Sequence, residues 1–298
     1  MQHLLVIDPQ NDFCDLPAEL HAPQQAPSLP VRGAHADLQR LARWLDRVGA
    51  EIDAITVTLD SHHQLDVAHP GFWRTADGGE VAPFTAITAA ELREGRFVVR
   101  EPRHHDRVLH YLDELERRGR YTLMVWPVHC EIGSWGHAVH ADLRASYNRW
   151  ERARMQSVHM VMKGQNPFTE HYSAILAEVP DPEDPATQIN RALLDRLAAA
   201  ETLWVAGEAS SHCVRATVLD LCEHLPHPER IVLLTDCMSP VAGFEAAHTE
   251  FLAEAQRRGV RLTTSENSTS ERSDERTRRS EPEGRVNRSE IFAKAKIP

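Results

Sequence analysis

The chain lacks any uninterrupted apolar run approaching the 18 or more residues of a membrane span, so none is expected. It lacks positive charge: 33 Lys and Arg face 44 Asp and Glu, a net charge of −11, which argues against a nucleic-acid partner. Cysteine is sparse. Five thiols, at 14, 130, 213, 222 and 237, are an odd number without framework spacing, and reduced thiols are expected. The apolar run at residues 4–7 is too short for the core of a secretory signal, so a cytoplasmic location is expected. No Gly-x-Gly-x-x-Gly follows it, which removes support for a dinucleotide site. There is no internal repeat.

What is present alternates. Strand-like runs occur at 3–8, 53–59, 121–126, 158–163, 202–207, 230–235 and 260–263. Helix-like stretches occur at 34–48, 106–119, 137–153, 187–200, 213–224 and 245–257. This alternation predicts an α/β fold, a doubly wound parallel sheet with helices on both faces in three layers. One domain is expected over 1–264, with an ordered insertion at about 70–120 that could form a lid, a pocket wall or an oligomer contact. From 265 to 298 mixed charge, serine and few apolar residues predict a disordered tail.

Three strand-like runs end on or just before reactive side chains. HLLVID ends in Asp8, MVMK ends in Lys163, and TLWVAG leads to Cys213 at the head of a helix-like stretch. Carboxyl ends of parallel strands are where open α/β sheets bind ligands. If the three strands share one sheet, an acid, a base and a thiol converge. A cysteine at a helix start meets the positive end of the dipole, which favours the thiolate, and Lys163 adds to that. Asp8 can take and return a proton. The N–H groups of Ala209 and Cys213 on the 207–213 turn are candidate oxyanion donors.

With these residues in view, the chain resembles the isochorismatase-like cysteine hydrolases. The resemblance rests on DPQNDF (8–13), Lys163-Gly164 and the Gly-x-Ala-x-x-x-Cys turn (207–213). TLDSHH (58–63) resembles the Asp-x-His metal segment of nicotinamidases, and WPVHC (126–130) their Trp-Pro-x-His-Cys segment. Order and approximate spacing agree from residue 1 to about 264. The resemblance implies the isochorismatase-like fold, the same roles for Asp8, Lys163 and Cys213, and a cis peptide before Ala209. It implies a divalent ion on Asp60, His62 and His129. Zinc is the first expectation, and iron or manganese also suit one carboxylate and two imidazoles. His69 is a candidate fourth ligand, and His63 is its rival in the same loop. Phe13 and Trp126 match positions that flank a pyridine ring in the family.

The expected reaction is hydrolysis of nicotinamide to nicotinate and ammonia through a Cys213 thioester. Two alternatives are carried: a related hydrolase of another small amide or N-carbamoyl compound, and a ligand-binding pseudoenzyme. The partner expected is a small-molecule amide, with no nucleic acid and no membrane, and a homo-oligomer is left open. The chain departs from the family at Ser210-Ser211-His212, where threonine and aspartate or tyrosine are frequent, and in its long insertion. Cys130 is expected to be a packing residue. No function is assigned to Cys222, Cys237 or the His104-His105 pair.

Overall fold

The computed structural model describes residues 1–268. Of the tail expected to be disordered, residues 269–298 lie outside the described residues. Met1–Ser265 forms one compact unit. In chain order its strands and helices are β1 (Gln2–Ile7), α1 (Ala34–Val48), β2 (Ala54–Asp60), β3 (Trp73–Thr75), β4 (Thr85–Ile87), α2 (Ala89–Arg93), β5 (Phe97–Val99) and α3 (His105–Arg118). They continue as β6 (Leu123–Val125), α4 (Ala141–Arg154), β7 (His159–Lys163), α5 (Arg191–Ala198), β8 (Thr202–Gly207), α6 (Cys213–His224), β9 (Ile231–Leu234), α7 (Glu245–Arg257) and β10 (Arg261–Thr263).

Six strands form one parallel sheet in the order β10-β9-β8-β1-β2-β7. β1, β8 and β9 are apolar and buried along nearly their whole length, as strands covered on both faces must be. β7 lies at the edge and alternates: Val161 and Lys163 are buried, while Met160 and Met162 are exposed. α1 packs against α4, and α6 against α7, so helices flank the sheet as the alternation predicts. In α1 the buried residues Leu38, Leu41, Trp44, Leu45 and Val48 recur at helical spacing, and the Trp44 ring meets Trp204 of β8 at 5.4 Å. No described helix is long and apolar enough to cross a membrane.

The run expected at 121–126 is not a strand of this sheet. β6 pairs antiparallel with β4, and β3 with β5. The insertion therefore brings its own strand partner to β6, in a register that sets Thr85 beside Val125. The helix expected from 137 begins at 141, because Val139 bridges to Gln10. The helix expected over 187–200 spans 191–198, since the Asn190 side chain caps the N–H of Leu193 at 3.0 Å.

Candidate active site

β1 and β8 are neighbours with Ile7 beside Gly207, and β2 and β7 are neighbours with Asp60 beside Lys163. Asp8, Asp60, Lys163 and the 207–213 turn thus leave one edge of the sheet at one level. Lys163 is not adjacent to β1. Its side chain reaches past β2, placing Nζ 2.9 Å from Asp8 Oδ2, 2.9 Å from Asp60 Oδ1 and 3.5 Å from Cys213 Sγ. All four residues are buried. Side-chain atoms of Asp8, Asp60 and Cys213 lie within 4.8 Å of one another.

Gly207 makes the turn between β8 and Cys213 sterically feasible. Its φ is +119°, and a Cβ there would stand 2.0 Å from the Ile7 carbonyl oxygen. The Glu208–Ala209 peptide that follows is cis, as the resemblance implies. Within the turn, Ser210 N–H donates to Ser239, and the N–H groups of His212 and Val214 donate to the Ala209 carbonyl. The N–H groups of Ala209 and Cys213 are not engaged in these bonds.

DPQNDF turns out to be a set of cross-links. Asp8 N–H donates to Thr58 Oγ1 at 3.0 Å, and that hydroxyl donates to Asp8 Oδ1 at 2.5 Å. Gln10 Nε2 donates to the Asp60 carbonyl at 2.7 Å, and Gln10 Oε1 accepts from Asp60 N–H at 2.8 Å. Asn11 Nδ2 donates to the Trp135 carbonyl, and Asp12 Oδ2 accepts from Cys130 N–H. The loop after His129 is therefore tied to the first strand. Cys130 itself is fully buried, as a packing residue should be.

Burial, with Asp8 and Asp60 adding to it, pushes the Cys213 thiol well above its ordinary range, and the opposing charge of Lys163 does not reverse this. Burial also raises Asp8, against the pull of Lys163. Burial works to raise Asp60 as well, but the charges of His62 and Lys163 hold it well below the usual carboxylate range. Lys163 is held well above its ordinary value: burial opposes this, and Asp60 and Asp8 outweigh it.

Asp60, His62 and His129 offer ligand atoms within 4.8 Å of one another. His62 Nδ1 meets Asp66 Oδ2 at 2.9 Å, and His129 Nδ1 meets the Pro127 carbonyl at 2.8 Å. Both rings thereby turn Nε2 toward Asp60 Oδ2, at 3.1 Å and 3.5 Å. His62 Nε2 is buried and makes no hydrogen bond. At that distance from a carboxylate oxygen, Nε2 either carries a proton or shares a cation with Asp60. Without an ion, His62 is held well above its ordinary value: burial opposes this, but Asp60 and Asp66 prevail, so the two carboxylates favour a positive charge at this point. The donor set fits a divalent ion.

His69 is buried and closes a triangle of rings with His62 and His129, at 5.1 Å and 5.3 Å. Its Nε2 faces His129 Nδ1 at 3.3 Å. His63 is exposed and offers only its carbonyl, to His69 Nδ1.

A small, narrow pocket joins these groups. Its lining holds Cys213 and Ala209, the metal-trio members Asp60 and His129, and both sequence-predicted aromatics, Phe13 and Trp126. Phe13 stands edge-on to His129 at 5.5 Å. Sequence reasoning missed five lining residues: Leu29, Glu170, Tyr172, His212 and Val241. Trp126 Nε1 donates to the Tyr172 hydroxyl at 3.1 Å, and the His212 ring meets Trp126 at 5.2 Å and Phe244 at 4.7 Å. The signal available was TEHY at 169–172, a few residues beyond Lys163, and the departure at His212.

No protein-family model matches the chain, and no curated protein matches it. Solved structures do. A nicotinamidase/pyrazinamidase from Acinetobacter baumannii superposes with a TM-score of 0.59 at 17% identity, covering 89% of this chain and 97% of that one. The yeast nicotinamidase bound to the inhibitor nicotinaldehyde gives 0.59 at 18% identity, with 89% and 100% covered. The pyrazinamidase of Pyrococcus horikoshii in complex with zinc gives 0.53 at 17% identity, with 88% and 98% covered. The chain has the isochorismatase-like α/β fold that these nicotinamidase and pyrazinamidase structures share.

Proposed function

We propose that the protein is a metal-assisted cysteine amidohydrolase that converts nicotinamide to nicotinate and ammonia. The observation that carries this reading is the convergence of Cys213, Lys163 and Asp8 with Asp60, His62 and His129 around one aromatic-walled cavity. The shared fold adds support, since its other holders include nicotinamidases and a pyrazinamidase solved with zinc.

Activation of the thiol is a proton transfer to the carboxylate that stands within reach of it. Asp8 takes the Cys213 proton as Sγ bonds to the amide carbon, and the carbonyl electron pair moves to oxygen. The oxyanion meets the N–H groups of Ala209 and Cys213. Collapse breaks the C–N bond, the proton on Asp8 passes to the amine, and ammonia leaves a thioester. Water then gives a proton to Asp8 and attacks the acyl carbon. The C–S bond breaks, and Asp8 returns the proton to sulfur as the acid departs. Lys163 offsets the negative charge carried in turn by sulfur and carboxylate. A divalent ion on Asp60, His62 and His129, zinc first and iron or manganese otherwise, would bind the ring nitrogen and orient the ring.

Ammonia release from nicotinamide, pyrazinamide and benzamide, with and without chelator, tests this. Nicotinamide and pyrazinamide should be hydrolysed, and chelation should suppress both. Benzamide, without a ring nitrogen, should be at least about tenfold worse in kcat/KM. Equal values for nicotinamide and benzamide would sink the reading.

A further inference from the structure

Glu208 stands at the start of the turn that carries both candidate oxyanion donors, yet it does not line the pocket. Its side chain is fully buried behind the turn. Oε2 accepts from the Ser239 N–H at 3.1 Å. The Ser239 hydroxyl donates to Asp37 Oδ2 of α1 at 2.6 Å, so one serine touches both carboxyls. The Ser239 carbonyl accepts from the Ser210 N–H at 2.9 Å, and the Cys237 carbonyl from the Gly207 N–H at 3.0 Å. The turn is thus fastened to the segment after β9, and through it to α1.

A side-chain hydrogen bond also joins the Glu208 and Asp37 carboxyls directly. Asp37 is 2% exposed. Two carboxylates in contact away from water cannot both be ionised, so a proton is held between them. Its place follows from the other partners. Asp37 has the Arg40 guanidinium on Oδ1 and the Ser239 hydroxyl on Oδ2, and both favour its charged form. Glu208 has one backbone N–H on Oε2, and no N–H or hydroxyl among the described residues reaches Oε1. The proton therefore belongs on Glu208. In keeping with this, burial and then the charge of Asp37 hold Glu208 well above the usual carboxylate range.

We propose that Glu208 is a positioning residue: its carboxyl donates a hydrogen bond to Asp37, and with Ser239 the pair anchors the turn that aims the Ala209 and Cys213 N–H groups at the oxyanion. This deepens the amidase reading and rests on it for the catalytic consequence.

The test compares native protein, Glu208→Gln and Glu208→Leu in nicotinamide kinetics, metal content, infrared spectra and amide exchange. Near neutral pH, the infrared difference between native and Glu208→Gln should contain a protonated-carboxyl band that shifts in heavy water. Glu208→Gln keeps an N–H donor for Asp37 and an oxygen for Ser239, so its kcat should stay within about threefold of native. Glu208→Leu keeps most of the bulk and loses both bonds. Its kcat should fall about tenfold or more with KM and metal content little changed, since oxyanion donors act in the transition state. Exchange of the Ser210 N–H should quicken about tenfold or more in Glu208→Leu and stay native-like in Glu208→Gln. Absence of the carboxyl band, native kcat in Glu208→Leu, or an equal loss of kcat in both variants overturns the proposal. So does a raised KM at unchanged kcat, which would place Glu208 in ground-state binding. Metal lost together with kcat overturns it too, since the turn would then not be the cause. If Glu208→Leu does not fold, Glu208→Met, unbranched and adaptable, replaces it under the same criteria. If native protein hydrolyses neither nicotinamide nor pyrazinamide, the amidase reading fails, and the carboxyl band and Ser210 exchange then decide the role of Glu208.

Discussion

Asp66 contributes no atom to the metal trio, yet it determines which nitrogen His62 presents. Its Oδ2 holds His62 Nδ1, and its Oδ1 accepts from the Ala68 N–H at 2.9 Å, so the carboxylate is itself fixed. Asp66→Asn should weaken metal binding by about tenfold or more while leaving the three ligands intact. Titration of the apo variant with zinc checks this, and unchanged affinity would show that the ring needs no such holder. Cys213 is a second residue with a determined environment. Cys213→Ala should lower amide turnover by at least about a thousandfold with little change in melting temperature, since a small buried residue replaces another. Retained turnover in that variant would remove Cys213 as nucleophile.

At the scale of elements, the turn from β8 to α6 carries the most constraint. Gly207→Ala would drive a methyl group into the Ile7 carbonyl of the neighbouring strand, and backbone cannot move aside as a flexible side chain can. The expected loss exceeds about 3 kcal/mol, or failure to fold, read from chemical denaturation. A variant of native stability would mean that β1 and β8 can separate. α3 is tied to α6 by Arg120 just beyond its end. Arg120 donates to Asp220 at 2.8 Å and lies 3.7 Å from Glu178, and both carboxylates are buried. Arg120→Ala should cost about 2 kcal/mol, discounted because the arginine is about a third exposed. The main elements were legible because each helix face or strand run is long enough to show its period. β3, β4 and β5 were not, at three residues each. Such short segments have no period to read and exist only because a distant segment pairs with them.

For the molecule as a whole, buried histidines should set the response to acid. His3 is fully buried, with Nε2 2.9 Å from Thr56 Oγ1, and burial followed by the charge of Arg196 lowers it to about 4. His140 is lowered to about 4 by burial and by His35. The sign follows from linkage. Above about 6.5 neither folded nor unfolded chain protonates these rings, and their contribution to stability is full. As pH falls from 6.5 to 4 the unfolded chain takes up protons that the folded one refuses. Each ring then removes up to about 1.4 kcal/mol per pH unit. Urea unfolding of native protein and His3→Leu at several pH values checks this. The difference in stability between the two should shrink as pH falls through that window, and a constant difference would contradict the linkage.

Residue order alone determined the alternation of strands and helices, and with it the parallel sheet. Runs such as HLLVI and TLWVAG are apolar on both faces, and only a strand covered by helices on both sides can bury them. It also pointed Asp8, Lys163 and Cys213 to one sheet edge, on condition that their strands share a sheet, because each sits at or just beyond the carboxyl end of such a run or at the head of the next helix. Tertiary structure decided the rest. The placement of Lys163 beyond β2, the pairing of β6 with the insertion, the burial and charge around Cys213 and the placement of Glu170 in the pocket wall all depend on groups far apart in the chain. Burial and charge at one atom are sums over every element that packs around it, and no local pattern of residues encodes that sum.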